Sequence, residues 1–176
     1  MKYKNKYPKP EVSIISLLAQ TPSYSICPAS FYPNVQMDVE DQLEPVLFCM
    51  AVWGESRGES QTGQKAVAQV IMNRVERKEG YWGFTVRQVL TDHNSNGIYE
   101  FSCFNPADPN YKKIMKPDAF SWISVCRTAL PIYFAPTKLH DNSVYFYKRV
   151  MQEPGSFHEG LKMLFVEENH AFYTDL

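Results

Sequence analysis

Two apolar helical segments joined by a short, glycine-bearing acidic break constrain this chain more than any other part of it. The first closes on Ala51-Val52-Trp53-Gly54-Glu55-Ser56-Arg57-Gly58-Glu59, and the second restarts as Gly63-Gln64-Lys65-Ala66-Val67-Ala68-Gln69-Val70-Ile71-Met72-Asn73-Arg74. A break of this kind folds one helix onto the other and fixes a carboxylate at their junction. Glu55 falls on the last turn of the first segment beside Trp53. Apolar surface and the negative end of a helix dipole both raise the cost of ionising it there, so its pKa should move up. A Glu in that state keeps a proton near neutral pH and can act as a general acid. The plainer reading makes Glu55 and Glu59 solvated residues of a connection, the usual fate of a Glu; the surrounding pattern weighs against it for Glu55.

Periodicity supplies the rest of the frame. Asp41-x-x-Glu44 has capping-box spacing and Pro45 starts the helix near that point, with Leu43, Val46, Leu47, Met50 and Trp53 as its expected stripe. The second helix is expected over 62–77, with Ala66, Val67, Val70, Ile71 and Val75 packing on the first. A short helix is expected near 85–90 and another over 117–130, striped by Phe120, Ile123, Cys126 and Leu130. The period then changes. Val144-Tyr145-Phe146-Tyr147, Met163-Leu164-Phe165-Val166 and Ala171-Phe172-Tyr173 are aromatic or β-branched runs between turns, which predict a small antiparallel sheet. Residues 1–37 carry Pro8, Pro10, Pro22, Pro28 and Pro33 and read as an arm or cap; residues 38–176 read as one domain.

At 176 residues with 44% hydrophobic content the chain buries one core. A net charge of −1 with interleaved acids and bases argues against nucleic acid. The Lys2 to Lys9 cluster before Val12–Ala19 imitates a secretory signal, but Pro8, Pro10 and Glu11 interrupt it, so no signal peptide is expected. No segment is long enough to span a bilayer. Cys27, Cys49, Cys103 and Cys126 include no Cys-x-x-Cys; Cys49 and Cys126 fall on apolar helical faces, as buried free thiols do.

Gly54-Glu55-Ser56-Arg57-Gly58-Glu59, Gly63-Gln64, Ala66-Val67-Ala68 and Asn73-Arg74 resemble the signature of SleB-type cell wall hydrolases. Glu100-Phe101-Ser102-Cys103, Val144–Tyr147 and Asn169-His170-Ala171-Phe172-Tyr173 resemble three later segments of that family in the same order, so the resemblance spans about 41–176. Ser56 stands where the family commonly has Ala, Glu100 where it has Gln, and Glu168 where it has Gly; Pro154-Gly155-Ser156-Phe157 only approximates its Pro-x-Trp. The resemblance implies an α+β, lysozyme-like helical core with a small C-terminal antiparallel sheet. It also implies cleavage of the β-1,4 bond between N-acetylmuramic acid and N-acetylglucosamine, by a lytic transglycosylase forming a 1,6-anhydro end or, as the alternative, by a hydrolytic muramidase. With no signal peptide expected, synthesis in the cytoplasm and action on the cell wall, consistent with phage-type release, are the expectation, as is a monomer acting on peptidoglycan glycan strands without a cofactor.

Glu55 is then the catalytic acid. Arg57, Glu59, Gln64 and Asn73 support the site, with Glu59 paired to Arg57 across a Gly58 free to take positive φ, and Ser102, Tyr145 and Tyr147 are groove contacts of lesser weight. Two other classes remain open: a zinc-dependent amidase of the same polymer, using His93, His140, His158 or His170, and a non-catalytic wall-binding module. No two histidines have a short metal-binding spacing. Asp92-His93-Asn94-Ser95-Asn96-Gly97 begins like a calcium loop, but Cys103 occupies the position where a bidentate Glu is needed, so a loop shaped by Asn and Gly is expected.

Overall fold

A computed structural model describes residues 31–79, 81–135, 142–148 and 160–175. Cys27, His140, His158, the Pro154–Phe157 segment and most of the arm lie outside them. The chain is α+β: among the described residues five helices form the core, and a three-stranded antiparallel sheet follows at the C-terminal end.

Helix α1 (Glu44–Ser56) starts at Pro45, whose missing N–H costs nothing in a first turn. The expected capping box does not form. Asp41 belongs to a 3-10 turn (Val39–Asp41), and the Glu44 carboxylate instead accepts the Arg87 backbone N–H at 3.2 Å and the Tyr133 hydroxyl at 2.9 Å. Nor is α1 one-sided: every residue from Val46 to Trp53 is buried, while Leu43 is 59% exposed. A helix buried all round is the central element of a core.

Helix α2 (Gln61–Arg77) is capped by Ser60, whose Oγ accepts the Gly63 N–H at 3.1 Å, and it ends at Lys78 in the left-handed region. Ala66, Val67, Val70 and Ile71 are buried, but only Ile71, with Ala68, joins the core around α1; Ala66, Val67 and Val70 turn away from it to a second cluster with Phe172. Helix α3 (Val86–Thr91) is capped by Thr85, and a short α4 (Tyr111–Ile114) follows the loop of the 3-10 turn Ser102–Phe104. Helix α5 (Ala119–Phe134) is capped by Asp118 and continues past Leu130 through Pro131. Leu130 and Ile132 on either side are both buried, and that packing outweighs the one lost backbone bond. Of the expected stripe, Cys126 and Leu130 are buried and Ile123 packs partly buried on the core, but Phe120 is 88% exposed, and Trp122, Val125 and Ala129 complete the inward face. Trp122 donates its indole N–H to the Phe31 carbonyl at 3.1 Å, which draws the end of the arm into the core.

The strands are β1 (Tyr145–Lys148), β2 (Leu161–Glu167) and β3 (His170–Asp175), in the order β1-β3-β2. Phe172 on the central strand is fully buried among Ala66, Val67 and Val70 of α2, with Phe146 and Phe165 on its flanks. The sheet therefore docks on α2, and its β2–β3 turn comes to lie over the α1–α2 junction.

Candidate active site

Glu55 sits one residue from the end of α1, half-buried as the apolar run before it requires. Its carboxyl is hydrogen-bonded by both the backbone N–H and the thiol of Cys103. Burial raises its pKa above the ordinary carboxylate value and outweighs the Cys103 bonds and the nearby Lys148 charge, which act downward; the Asp108 charge adds to the rise. The Cys103 thiol is pushed well up by burial and by Glu55, so it remains an S–H donor and not a thiolate.

Gly54 makes this meeting possible. A Cβ placed there would lie 2.8 Å from both Cβ and Sγ of Cys103 and 3.1 Å from Cγ2 of Ile114. Only glycine lets the 102–104 turn close on the helix end. Gly58 carries no such requirement, since a Cβ there meets nothing within 4 Å and its φ is not positive.

Arg57 and Glu59 do not pair. The Arg57 guanidinium folds back 4.5 Å from the Trp53 ring centre and donates to the Gly54 carbonyl and to Asn110 Oδ1, at 3.1 and 3.2 Å. Asn110 in turn donates its N–H to Asp108 at 2.6 Å. Arg57 thus braces the loop that brings Asp108 toward Glu55, while the Trp53 indole is fixed by Ser121 Oγ at 2.7 Å. Glu59 turns the other way, to the β2–β3 turn, where its carboxylate accepts the backbone N–H of Asn169 at 3.3 Å and the Asn169 side-chain amide at 3.1 Å. Burial would raise its pKa, but these bonds prevail and hold it below the ordinary value.

The same turn is tied down twice more. Ser60 donates its backbone N–H to Glu168 at 2.6 Å and its hydroxyl to Glu167 at 3.2 Å. Glu168 has φ +46°, a left-handed conformation that favours glycine, which explains the residue the family commonly carries there. Here the carboxylate's bond to Ser60 accompanies the strain. His170 Nδ1 lies 3.8 Å from Glu59, within ion-pair range, yet burial lowers its pKa despite that neighbour, so the ring is neutral at pH 7.

Gln64 and Asn73 are buried and structural. Gln64 donates to the Glu59 carbonyl at 3.2 Å, and Asn73 donates to the Ser143 carbonyl at 2.8 Å. Next to Asn73, Arg74 donates to the Val144 carbonyl at 2.7 Å and pairs with Glu100 at 3.3 Å, lying over Trp82, Phe101 and Tyr145. Glu100 thus serves as a charged partner where a Gln would be neutral. Ser56 returns its hydroxyl to the Val52 carbonyl at 2.7 Å, so it replaces the family's Ala without leaving a buried polar group unpaired.

Ser102 is exposed and immediately precedes the Cys103 that meets Glu55. Tyr145 packs edge-on to Trp82 beside Arg74, itself within electrostatic reach of Glu55. Tyr147 stacks on Tyr173, rings 5.1 Å apart, and its hydroxyl bonds that of Tyr173; this is a sheet contact rather than one in the Glu55 cluster. The Asp92–Gly97 loop is built as expected, with Asn94 Oδ1 accepting the N–H groups of Asn96 and Ile98, and His93 stacks on Tyr99. Cys49 and Cys126 are buried and form no disulfide among the described residues. Cys103, Asp108 and Lys148 complete the Glu55 cluster without having been singled out in the sequence. Gly54, directly before the acid, was the one local sign of a close neighbour.

A sequence model of the Cell Wall Hydrolase family matches residues 58–173. The chain belongs to the cell wall hydrolase family. As a member of that family it is a peptidoglycan-degrading enzyme. The match includes Glu59, Gln64, Asn73, Ser102, Tyr145 and Tyr147 and begins three residues after Glu55. No curated protein and no solved structure matches the chain. Among the described residues of this cell wall hydrolase, no helix is long and apolar enough to cross a membrane.

Glu59→Gln removes a charged acceptor while leaving the Glu55 cluster intact. Losing hydrogen bonds to a charged group costs about 1.5–3 kcal/mol, so the variant should melt lower, with turnover within about tenfold of wild type at a temperature where it is folded. The deficit has a pH sign. A carboxylate held below its ordinary pKa stabilises the fold above the unfolded value of 4.5, and that contribution is lost as pH falls through the folded pKa. Melting curves of both proteins should therefore converge in acid. A fully stable but inactive variant would instead make Glu59 a second catalytic carboxylate.

Proposed function

We propose that the protein cleaves the glycan strand of peptidoglycan between N-acetylmuramic acid and N-acetylglucosamine, as a lytic transglycosylase with Glu55 as its single catalytic carboxylate. The observation that carries this reading is the Glu55 carboxyl itself, desolvated at a helix end and hydrogen-bonded by Cys103. Protonated, it delivers its proton to the glycosidic oxygen as the C1–O bond breaks and positive charge develops at the muramic acid anomeric carbon. The resulting carboxylate then takes the proton from the muramic acid 6-hydroxyl, whose oxygen bonds to C1 and closes a 1,6-anhydro ring. Glu55 finishes protonated, ready for another cycle, and no water is consumed.

A retaining hydrolase needs a second carboxylate about 5–5.5 Å from the first, and an inverting one about 6.5–9.5 Å away. Glu59 is engaged by Asn169, which favours the one-carboxylate route. The Asp108 charge helps keep the Glu55 carboxyl protonated.

Mass spectrometry of muropeptides released from purified sacculi tests the reading. Anhydro ends are expected, with activity after overnight EDTA within about twofold. Reducing ends would show a hydrolase. Free stem peptides with EDTA-sensitive, zinc-restored activity would show an amidase.

A further inference from the structure

A cavity of about 230 Å³ lies between the 3-10 turn Val39–Asp41, the end of α3 and the loop that carries Cys103. Tyr99, Phe104 and Tyr111 give it three aromatic walls, Thr91 a hydroxyl, and Asp38 and Glu40 two carboxylates, with no Lys or Arg among the described residues of the lining. Phe104 is the residue after the Cys103 that meets Glu55, so the cavity and the catalytic acid share one loop.

Asp38 stands at the N-cap of its 3-10 turn yet makes no capping bond, and among the described residues no hydrogen bond or ion pair holds the carboxylate of Asp38 or Glu40. Arg87, the cation beside this turn, donates to the backbone carbonyls of Glu40 and Gln42. The Tyr111 phenol is pushed up by burial and then by Asp38, Tyr99 and Glu40, which places it among those groups as a neutral hydroxyl.

Aromatic faces with nearby carboxylates suit a cation on an apolar stem. That space admits a short aminoalkyl chain.

We propose that this cavity is a subsite for a primary ammonium of the wall polymer, that of an uncross-linked diamino acid in a stem peptide. Asp38 and Glu40 hold it against Tyr99, Phe104 and Tyr111 while the glycan occupies the Glu55 site. The assignment of the polymer rests on the function proposed above. Enzyme acting through this subsite prefers strands whose stems are not yet cross-linked, because cross-linking converts the amine to an amide and removes its charge.

The test measures co-sedimentation of the intact protein with sacculi, alongside KM and kcat for release of glycan ends. Three substrates are compared: native sacculi, sacculi whose amines have been acetylated with acetic anhydride, and glycan strands stripped of stems. Acetylation should weaken wild-type binding and raise KM by about five- to tenfold, as loss of a partly desolvated cation–π and charge contact does, with kcat within twofold. The Asp38→Asn/Glu40→Gln double variant, at exposed positions, should keep its melting temperature. It should show the raised KM on native sacculi and no further rise on acetylated ones, and Tyr111→Leu should behave likewise. On stem-free strands all proteins should be equal.

Wild-type binding indifferent to acetylation overturns the subsite. An acetylation effect that persists on stem-free strands overturns the stem-peptide assignment in favour of a de-acetylated hexosamine. Absence of glycan ends from every substrate overturns the glycosidase reading alone, since the co-sedimentation result still decides the subsite.

Discussion

Glu55→Gln should abolish most lysis of purified sacculi while making the protein melt higher at neutral pH. Gln preserves the shape but has no carboxylic proton to give, so turnover should fall by the roughly 10²–10⁴-fold expected of general acid catalysis. The stability change has the opposite sign to that of Glu59→Gln. The folded-state pKa of Glu55 is raised above 4.5, so from that pH upward the native protein binds more protons than the unfolded chain and loses stability as pH rises. Gln bears no such ionisation cost. The melting-temperature difference should therefore be absent well below pH 4.5 and widen toward neutrality, while wild-type activity declines on the alkaline side as the acid loses its proton. A Gln variant that lyses sacculi near the wild-type rate would remove Glu55 from the chemistry, and one with no pH-dependent stability gain would contradict its desolvated position.

Gly54→Ala should be the most damaging small substitution outside the acid itself. Alanine gains about 1 kcal/mol of helix propensity over glycine, whereas forcing a methyl into a packed space costs about 1–3 kcal/mol. The overlap prevails because the 2.8 Å neighbour is the Cys103 Cβ, which moves only with its backbone. Moving that turn pulls both Cys103 donors away from Glu55, and a displacement of about 1 Å at a catalytic group can cost 10²-fold. Thermal melts and kcat/KM should both fall, by about 10- to 100-fold for the latter. Gly58→Ala, where the new methyl meets nothing within 4 Å, should change neither by much. Equal behaviour of the two variants would show that the 102–104 turn does not need its close seat on α1.

The order and type of the elements were legible because they rest on local signals. Pro45 set the start of α1, Ser60 and Thr85 mark later starts, and the change from helical to alternating period announced the sheet. Glu55 was legible for the same reason: its desolvation follows from the apolar residues just before it. What escaped depends on contacts between distant segments. Asp41 and Glu44 have the spacing of a cap, but Arg87 and Tyr133 claim Glu44. Phe120 fits the α5 stripe, but Trp122 takes the inward place and reaches Phe31. Arg57 and Glu59 sit two residues apart, yet Trp53 and Asn110 take one and Asn169 takes the other. Nothing near Cys103 in the chain says that its thiol faces a carboxyl.

The clasp between the α1–α2 junction and the β2–β3 turn also bears on the order in which the enzyme assembles. Glu59 and Asn169 are separated by 110 residues, so their contact closes a very long loop, and its entropy is recovered only after the intervening chain has collapsed. The helices, built on local bonds, can form before then. During synthesis the Glu59 carboxylate stays without its Asn169 partner until the β2–β3 turn has emerged, so the helical core can form before this clasp closes over it.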